Sequence, residues 1–112
     1  MRRDHERLQD ILESIEKVEK YTCRGRSAFE QDELIQTWVI HHIQIIGEAS
    51  RKLSDDLLEK YPHIPWAEIV AMRNILVHEY FGIDPDEVWV AVERDLPKLK
   101  ISVQRVIAEL PK

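Results

Sequence analysis

Cysteine, glycine and long apolar runs are all scarce in this chain. A single cysteine, Cys23, among 112 residues excludes an internal disulfide and has no partner at metal-ligand spacing, a usage that suits a reducing cytoplasm. No run of about eighteen apolar residues occurs, so no membrane-spanning helix is expected. The opening Met1-Arg2-Arg3-Asp4-His5-Glu6 enters a charged amphipathic pattern without an apolar leader; a soluble, unexported, cytoplasmic protein is the expectation. Cations are also in deficit. The chain carries 16 Lys and Arg against 21 Asp and Glu, a formal charge of −5. That argues against nucleic-acid binding by bulk phosphate neutralisation, which needs a clustered cationic face. Local basic patches remain at Arg24 and Arg26 around Gly25, and at Arg51 with Lys52, although solvated surface charge is the plainer account of each.

Strand-like alternation is missing too, and with 44% apolar residues and three glycines what is present is helical periodicity. Leu8, Ile11, Leu12, Ile15 and Val18 recur at three- and four-residue steps, predicting an amphipathic helix over 4–21. The period breaks over 22–26, and Ser27-Ala28-Phe29-Glu30 reads as a capping box opening a second helix. That helix carries Leu34, Ile35, Trp38, Val39, Ile43, Ile45, Ile46, Ala49 and Leu53, an apolar arc wide enough to touch more than one neighbour, which makes it the central helix. Ser54 to Tyr61 reads as an extension of it or as a short extra helix. Pro62 and Pro65 end that segment, and Pro65 opens a third helix running to about Tyr80, with Trp66 and Ile69 in its first turn and Gly82 as its stop. Asp84-Pro85-Asp86-Glu87 starts the last helix, whose Val88, Trp89, Val92, Leu96, Leu99, Val103, Val106, Ile107 and Leu110 hold their period through Pro97, where a kink is expected. The fold class is therefore all-α, an antiparallel bundle of four main helices forming one domain over 1–112.

One stretch conflicts with a purely structural role. Met72-Arg73-Asn74-Ile75-Leu76-Val77-His78-Glu79-Tyr80-Phe81-Gly82 sets a permanent cation, a titratable imidazole and a phenol in an otherwise apolar helical run. Arg offers a planar cation for phosphate oxygens, and His near neutral pH gives or takes a proton, a combination suited to phosphodiester cleavage. In RNA the 2′-OH serves as an internal nucleophile, so cleavage can proceed without metal; DNA lacks it. On an ideal helix Arg73 stands about 140° round from His78, with Asn74 and His78 sharing another face. Convergence needs a distorted last turn, a wide cleft, or a second chain across a two-fold axis, the last being the most economical. The bland reading pairs Arg73 with Glu48, which lies at the edge of the central helix's apolar arc and otherwise reaches solvent, and leaves His78 capping the helix end. His41 and His42 are adjacent, about 100° apart on a helix, and are not expected to share a metal ion. Trp66 reads as a packing residue rather than a base-stacking platform.

The spacing of Arg73, His78 and Tyr80 within MRNILVHEYFGID resembles the signature of the HEPN superfamily, in particular its HepT-like branch. The flanks Tyr61-Pro62, Ile64-Pro65-Trp66, Val88-Trp89 and Asp95-Leu96-Pro97-Lys98-Leu99 extend that similarity over nearly the whole chain. The resemblance implies a helical homodimer that acts as the toxin of a two-gene toxin–antitoxin module. It implies a metal-independent, cofactor-free endoribonuclease whose Arg73 and His78 are catalytic and line an interfacial cleft, with Asn74 orienting His78. It also implies a partner, a minimal nucleotidyltransferase antitoxin that transfers AMP from ATP to Tyr80. A non-catalytic interaction or nucleotide-binding module on the same bundle is the competing expectation.

Overall fold

A computed structural model gives the backbone of residues 2–78 and 84–110 and the side chains of 3–72 and 84–110. In order, the helices are α1 (Arg2–Thr22), α2 (Arg26–Gln31), α3 (Glu33–Arg51), α4 (Asp55–Lys60), α5 (Trp66–His78), α6 (Pro85–Val90) and α7 (Leu96–Glu109), with a π-helical turn, Ala91–Asp95, joining α6 to α7. No strand occurs among the described residues, so the chain is all-α as its periodicity predicts. None of the described helices is long and apolar enough to cross a membrane.

Helix α1 buries the predicted stripe: Leu8, Ile11, Ile15 and Val18 are inaccessible to solvent. Its partner is α3, which contributes Val39, Ile43 and Ile46, equally inaccessible. Each such side chain stabilises the fold by roughly 1.5–3 kcal/mol over its exposed state. Polar contacts fix the direction of this pair. Trp38 Nε1 donates to the Lys17 carbonyl at 2.8 Å, His42 Nδ1 lies 3.3 Å from Ser14 Oγ, and Ser54 N donates to Asp4 Oδ1 at 2.9 Å. Partner numbers fall along α1 as they rise along α3 and into the loop beyond it, so the two run antiparallel. Helix α3 also packs on α5, and α1 also packs on α7, placing α3 centrally as its wide arc predicts. Lys100 Nζ binds Glu19 Oε1 at 2.8 Å across α7 and α1, and Tyr61 Oη donates to Glu109 Oε2 at 2.9 Å.

Three boundaries differ from the sequence expectation. The capping box at Ser27 and Glu30 does not form. Gly25, at φ 98°, precedes α2 instead; Ser27 Oγ accepts from Gln31 Nε2, and Glu30 pairs with Arg26. The chain then breaks at Asp32, whose Oδ1 accepts from Leu34 N and Ile35 N and caps α3. This break resets the helical phase, so Leu34, assigned to the apolar arc, stands 80% exposed. Pro65 sits one residue before α5 rather than inside it, and its carbonyl accepts from Glu68 N and Ile69 N. At the last helix, Asp84 caps as expected, its Oδ1 accepting from Asp86 N at 2.9 Å. The π-turn ends just before Pro97, with Leu96 N reaching back five residues to the Ala91 carbonyl. This wider turn meets the requirement that proline imposes, since Pro97 has no N–H and its ring would crowd the carbonyl four residues back. The predicted stop at Gly82 lies outside the described residues. The short helix after Ser54 is real, capped by Ser54 Oγ accepting from Leu57 N.

Candidate active site

Helix α5 carries the polar stretch. Trp66 and Ile69 are buried in its first turn and Met72 is half-buried, so its N-terminal half is anchored in the core against α3. The helix then continues without a 3-10 or π interruption through positions 73, 74 and 78. Five α-helical steps leave the two positions about 140° apart around the axis; the distortion expected near Gly82 lies outside the described residues. The side chains of Arg73, Asn74 and His78 lie outside the described set, as does Tyr80 altogether. Glu48, on the facing helix α3, is half-buried between the buried Gly47 and Ala49, at the edge of the arc as anticipated, with Oε1 3.6 Å from an Arg51 guanidinium nitrogen.

Beside this helix runs a groove of about 440 Å³ between α5 and the α6–α7 rod. Ile69, Met72, Ala91, Leu96 and Leu99 form its apolar floor, and Glu68, Glu87 and Asp95 stand on its rim with Lys98 and His63. That acidic excess favours a cationic or apolar occupant over a bare polyanion.

The two adjacent histidines separate as their spacing requires. His41 is exposed, while His42 is buried against Ser14, with Trp38 edge-on at 4.5 Å. Burial pushes the His42 imidazole below its ordinary value; the neighbouring His41 and Lys17 act in the same sense, and Glu13 opposes them. His42 is therefore a neutral member of the α1–α3 contact. Ser14 and Asp4 are likewise buried. Nothing in an amphipathic pattern marks a polar residue as internal, so these three escaped the sequence reading.

The wider relationship of the chain comes from similarity. Residues 11–106 match the family described as "Ribonuclease HepT-like". The chain belongs to that family. Among its relatives is "Putative RNase MJ1380" of Methanocaldococcus jannaschii, 45% identical over 100 residues, which are 88% of this chain and 92% of that protein. Another is "Probable ribonuclease HepT" of Thermococcus cleftensis, 41% identical over 104 residues, 89% of this chain and 93% of that one. A longer relative from M. jannaschii, "Gamma-glutamylcyclotransferase and putative RNase MJ0434", is 44% identical over 94% of this chain, which spans only 48% of that protein's length. No solved structure matches. The HepT-like match covers all of α3 and α5, with Glu48, Arg73, Asn74 and His78, and its residue range also includes Tyr80.

Proposed function

We propose that this HepT-like chain is the toxin of a toxin–antitoxin module, a metal-independent endoribonuclease of the cytoplasm that works as a homodimer. The observation that carries the proposal is the family match spanning the Arg73, His78 and Tyr80 spacing, with positions 73 and 78 on a regular helix packed on the central one. In this reading His78 takes the proton of a ribose 2′-OH as that oxygen attacks the adjacent phosphorus. The 5′-oxygen of the next nucleotide leaves and is protonated, and a 2′,3′-cyclic phosphate remains. Arg73 holds the non-bridging oxygens, whose charge builds up during the attack. Asn74, four residues before His78 and so on its side of the helix, orients the imidazole. Glu48 supports Arg73 from α3. In this reading each site takes Arg73 from one protomer and His78 from the other, the arrangement that the separation of about 140° on α5 favours.

Regulation in this account is covalent. A partner nucleotidyltransferase directs the Tyr80 hydroxyl to the α-phosphorus of ATP, pyrophosphate departs, and the resulting AMP places a bulky anion where substrate phosphate must enter. The second reading is a non-catalytic interaction module, favoured by the acidic, apolar-floored groove beside α5, which suits a protein segment better than RNA. Cleavage chemistry separates the two. The unmodified dimer in excess chelator should cut an RNA oligonucleotide to cyclic-phosphate ends and leave its all-deoxy counterpart intact. An RNA that survives intact would leave only the interaction module.

A further inference from the structure

The basic patch around Gly25 divides in the structure. Arg26 is taken up by Glu30 and Asp86, as Lys17 is by Glu13, Arg51 by Glu48 and Lys100 by Glu19. Arg24 and Lys20 form no ion pair among the described residues and lie instead on the Tyr21 ring, 5.3 and 5.7 Å from its centroid. Tyr21 meets Trp38 edge-on at 5.5 Å. Tyr21, Arg24 and Trp38 line a mainly apolar groove of about 520 Å³ at the junction of the α1 C-terminus and the start of α3, which also includes the 80%-exposed Leu34 and the exposed His41; Lys20 stands outside the lining, against the Tyr21 ring. The one carboxylate lining it, Asp32, is occupied with the backbone N–H groups of Leu34 and Ile35.

We infer that this groove is a second RNA contact, taking an unpaired nucleobase of single-stranded RNA between Trp38, Tyr21 and Leu34, with Arg24 and Lys20 on the adjoining phosphates. The inference rests on the ribonuclease reading for its ligand class and on the groove itself for its chemistry. Half-exposed aromatic rings, an exposed aliphatic and two free cations form the combination that single-stranded nucleic acid requires, because every base has a π face and every linkage an anion. A molecule with a net charge of −5 cannot hold RNA by overall attraction, so cations left unneutralised beside aromatic rings gain importance. A second copy of the chain fits the groove less well, since one exposed leucine does not approach the roughly 800 Å² per partner of a stable interface. Helix α3 is common to both sites: its first turns border this groove, and it packs on α5.

The test uses the full-length dimer and a labelled single-stranded RNA dodecamer bearing 2′-O-methyl riboses, which binds without being cut. Trp38→Ala and Arg24→Glu should each weaken its binding about ten-fold. Trp38→Phe should stay within about two-fold of wild type, since a phenyl ring still stacks. On cleavable RNA the same two variants should raise KM by a similar factor and change kcat by less than about two-fold. Arg24 is exposed, so Arg24→Glu remains informative if Trp38→Ala fails to fold. Unchanged binding by folded Arg24→Glu overturns the inference, and so does a fall to monomer mass in either variant, which would make the groove a self-association face. Wild-type binding that the variants weaken, without any cleavage, would sink the ribonuclease reading and leave this one standing.

Discussion

Arg73 and His78 lie on one unbroken α-helix, five positions apart, and so about 140° from each other around its axis. The proposed mechanism asks both groups to act on one phosphate, yet they are carried on different sides of one element. A site shared across a two-fold axis resolves this, and it makes a specific prediction for mixed dimers. Arg73→Ala and His78→Ala homodimers should both be inactive. Co-refolded mixed dimers should regain about half the wild-type activity per dimer, because one of their two sites receives an intact Arg73 from one protomer and an intact His78 from the other. Mixed dimers that stay inactive would place both groups of a site in the same protomer.

The buried His42 sets a pH dependence on stability. Its folded pKa lies below the ordinary value of about 6.5, so the unfolded chain binds a proton that the folded chain resists. Its contribution is fully present above about pH 6.5 and is lost as pH falls through that value toward the depressed one. Thermal melts should show Tm dropping between about pH 7.5 and about pH 5.5. His42→Leu should flatten that slope; an unchanged slope would assign the loss to other groups.

Asp4 is buried, and its two carboxylate oxygens accept from the backbone N and the Oγ of Ser54. The second of these fixes the hydroxyl that caps α4. Asp4→Ala removes both acceptors from the half-buried Ser54 and should cost about 2 kcal/mol in urea unfolding. Asp4→Asn keeps one acceptor oxygen and should fall between.

If Tyr80 is the acceptor of AMP, protein co-expressed with its nucleotidyltransferase should show intact-mass additions of AMP size. Those additions should disappear in Tyr80→Phe. Additions that persist in that variant would move the acceptor to another residue.

Much of the bundle could be read from periodicity, because the core is built from the residues that set the period: Leu8, Ile11, Ile15 and Val18 on α1, and Leu96, Leu99, Val103 and Val106 on α7. The cap at Asp84 was legible for the same reason that it works, a short side-chain oxygen ahead of an acidic first turn, whereas the same pattern at Ser54 was read only as an extension or a short extra helix. Where two start signals compete, local chemistry does not choose. Ser27 with Glu30 is the better motif, yet Asp32 begins the long helix, and Leu34 turns outward as a result. Pro97 marked a disturbance of the last helix but not its form as a π-turn, since the apolar spacing runs through it undisturbed. Of the site, the chemical groups were visible in the spacing of Arg73, His78 and Tyr80. The convergence that the proposed mechanism asks of them was not, because it would depend on how α5 meets a second surface, and a helical period describes only one chain.

The central claim is that His78 and Arg73 cleave RNA without metal, and its most direct test is a single comparison of rates. Purified dimer, free of its partner and unmodified at Tyr80, is assayed on RNA in excess chelator beside His78→Ala of matched fold and oligomeric state. The account predicts cleavage by the wild type and at least about a hundred-fold loss in the variant, the scale of a lost general acid–base. Equal rates in the two proteins would contradict it.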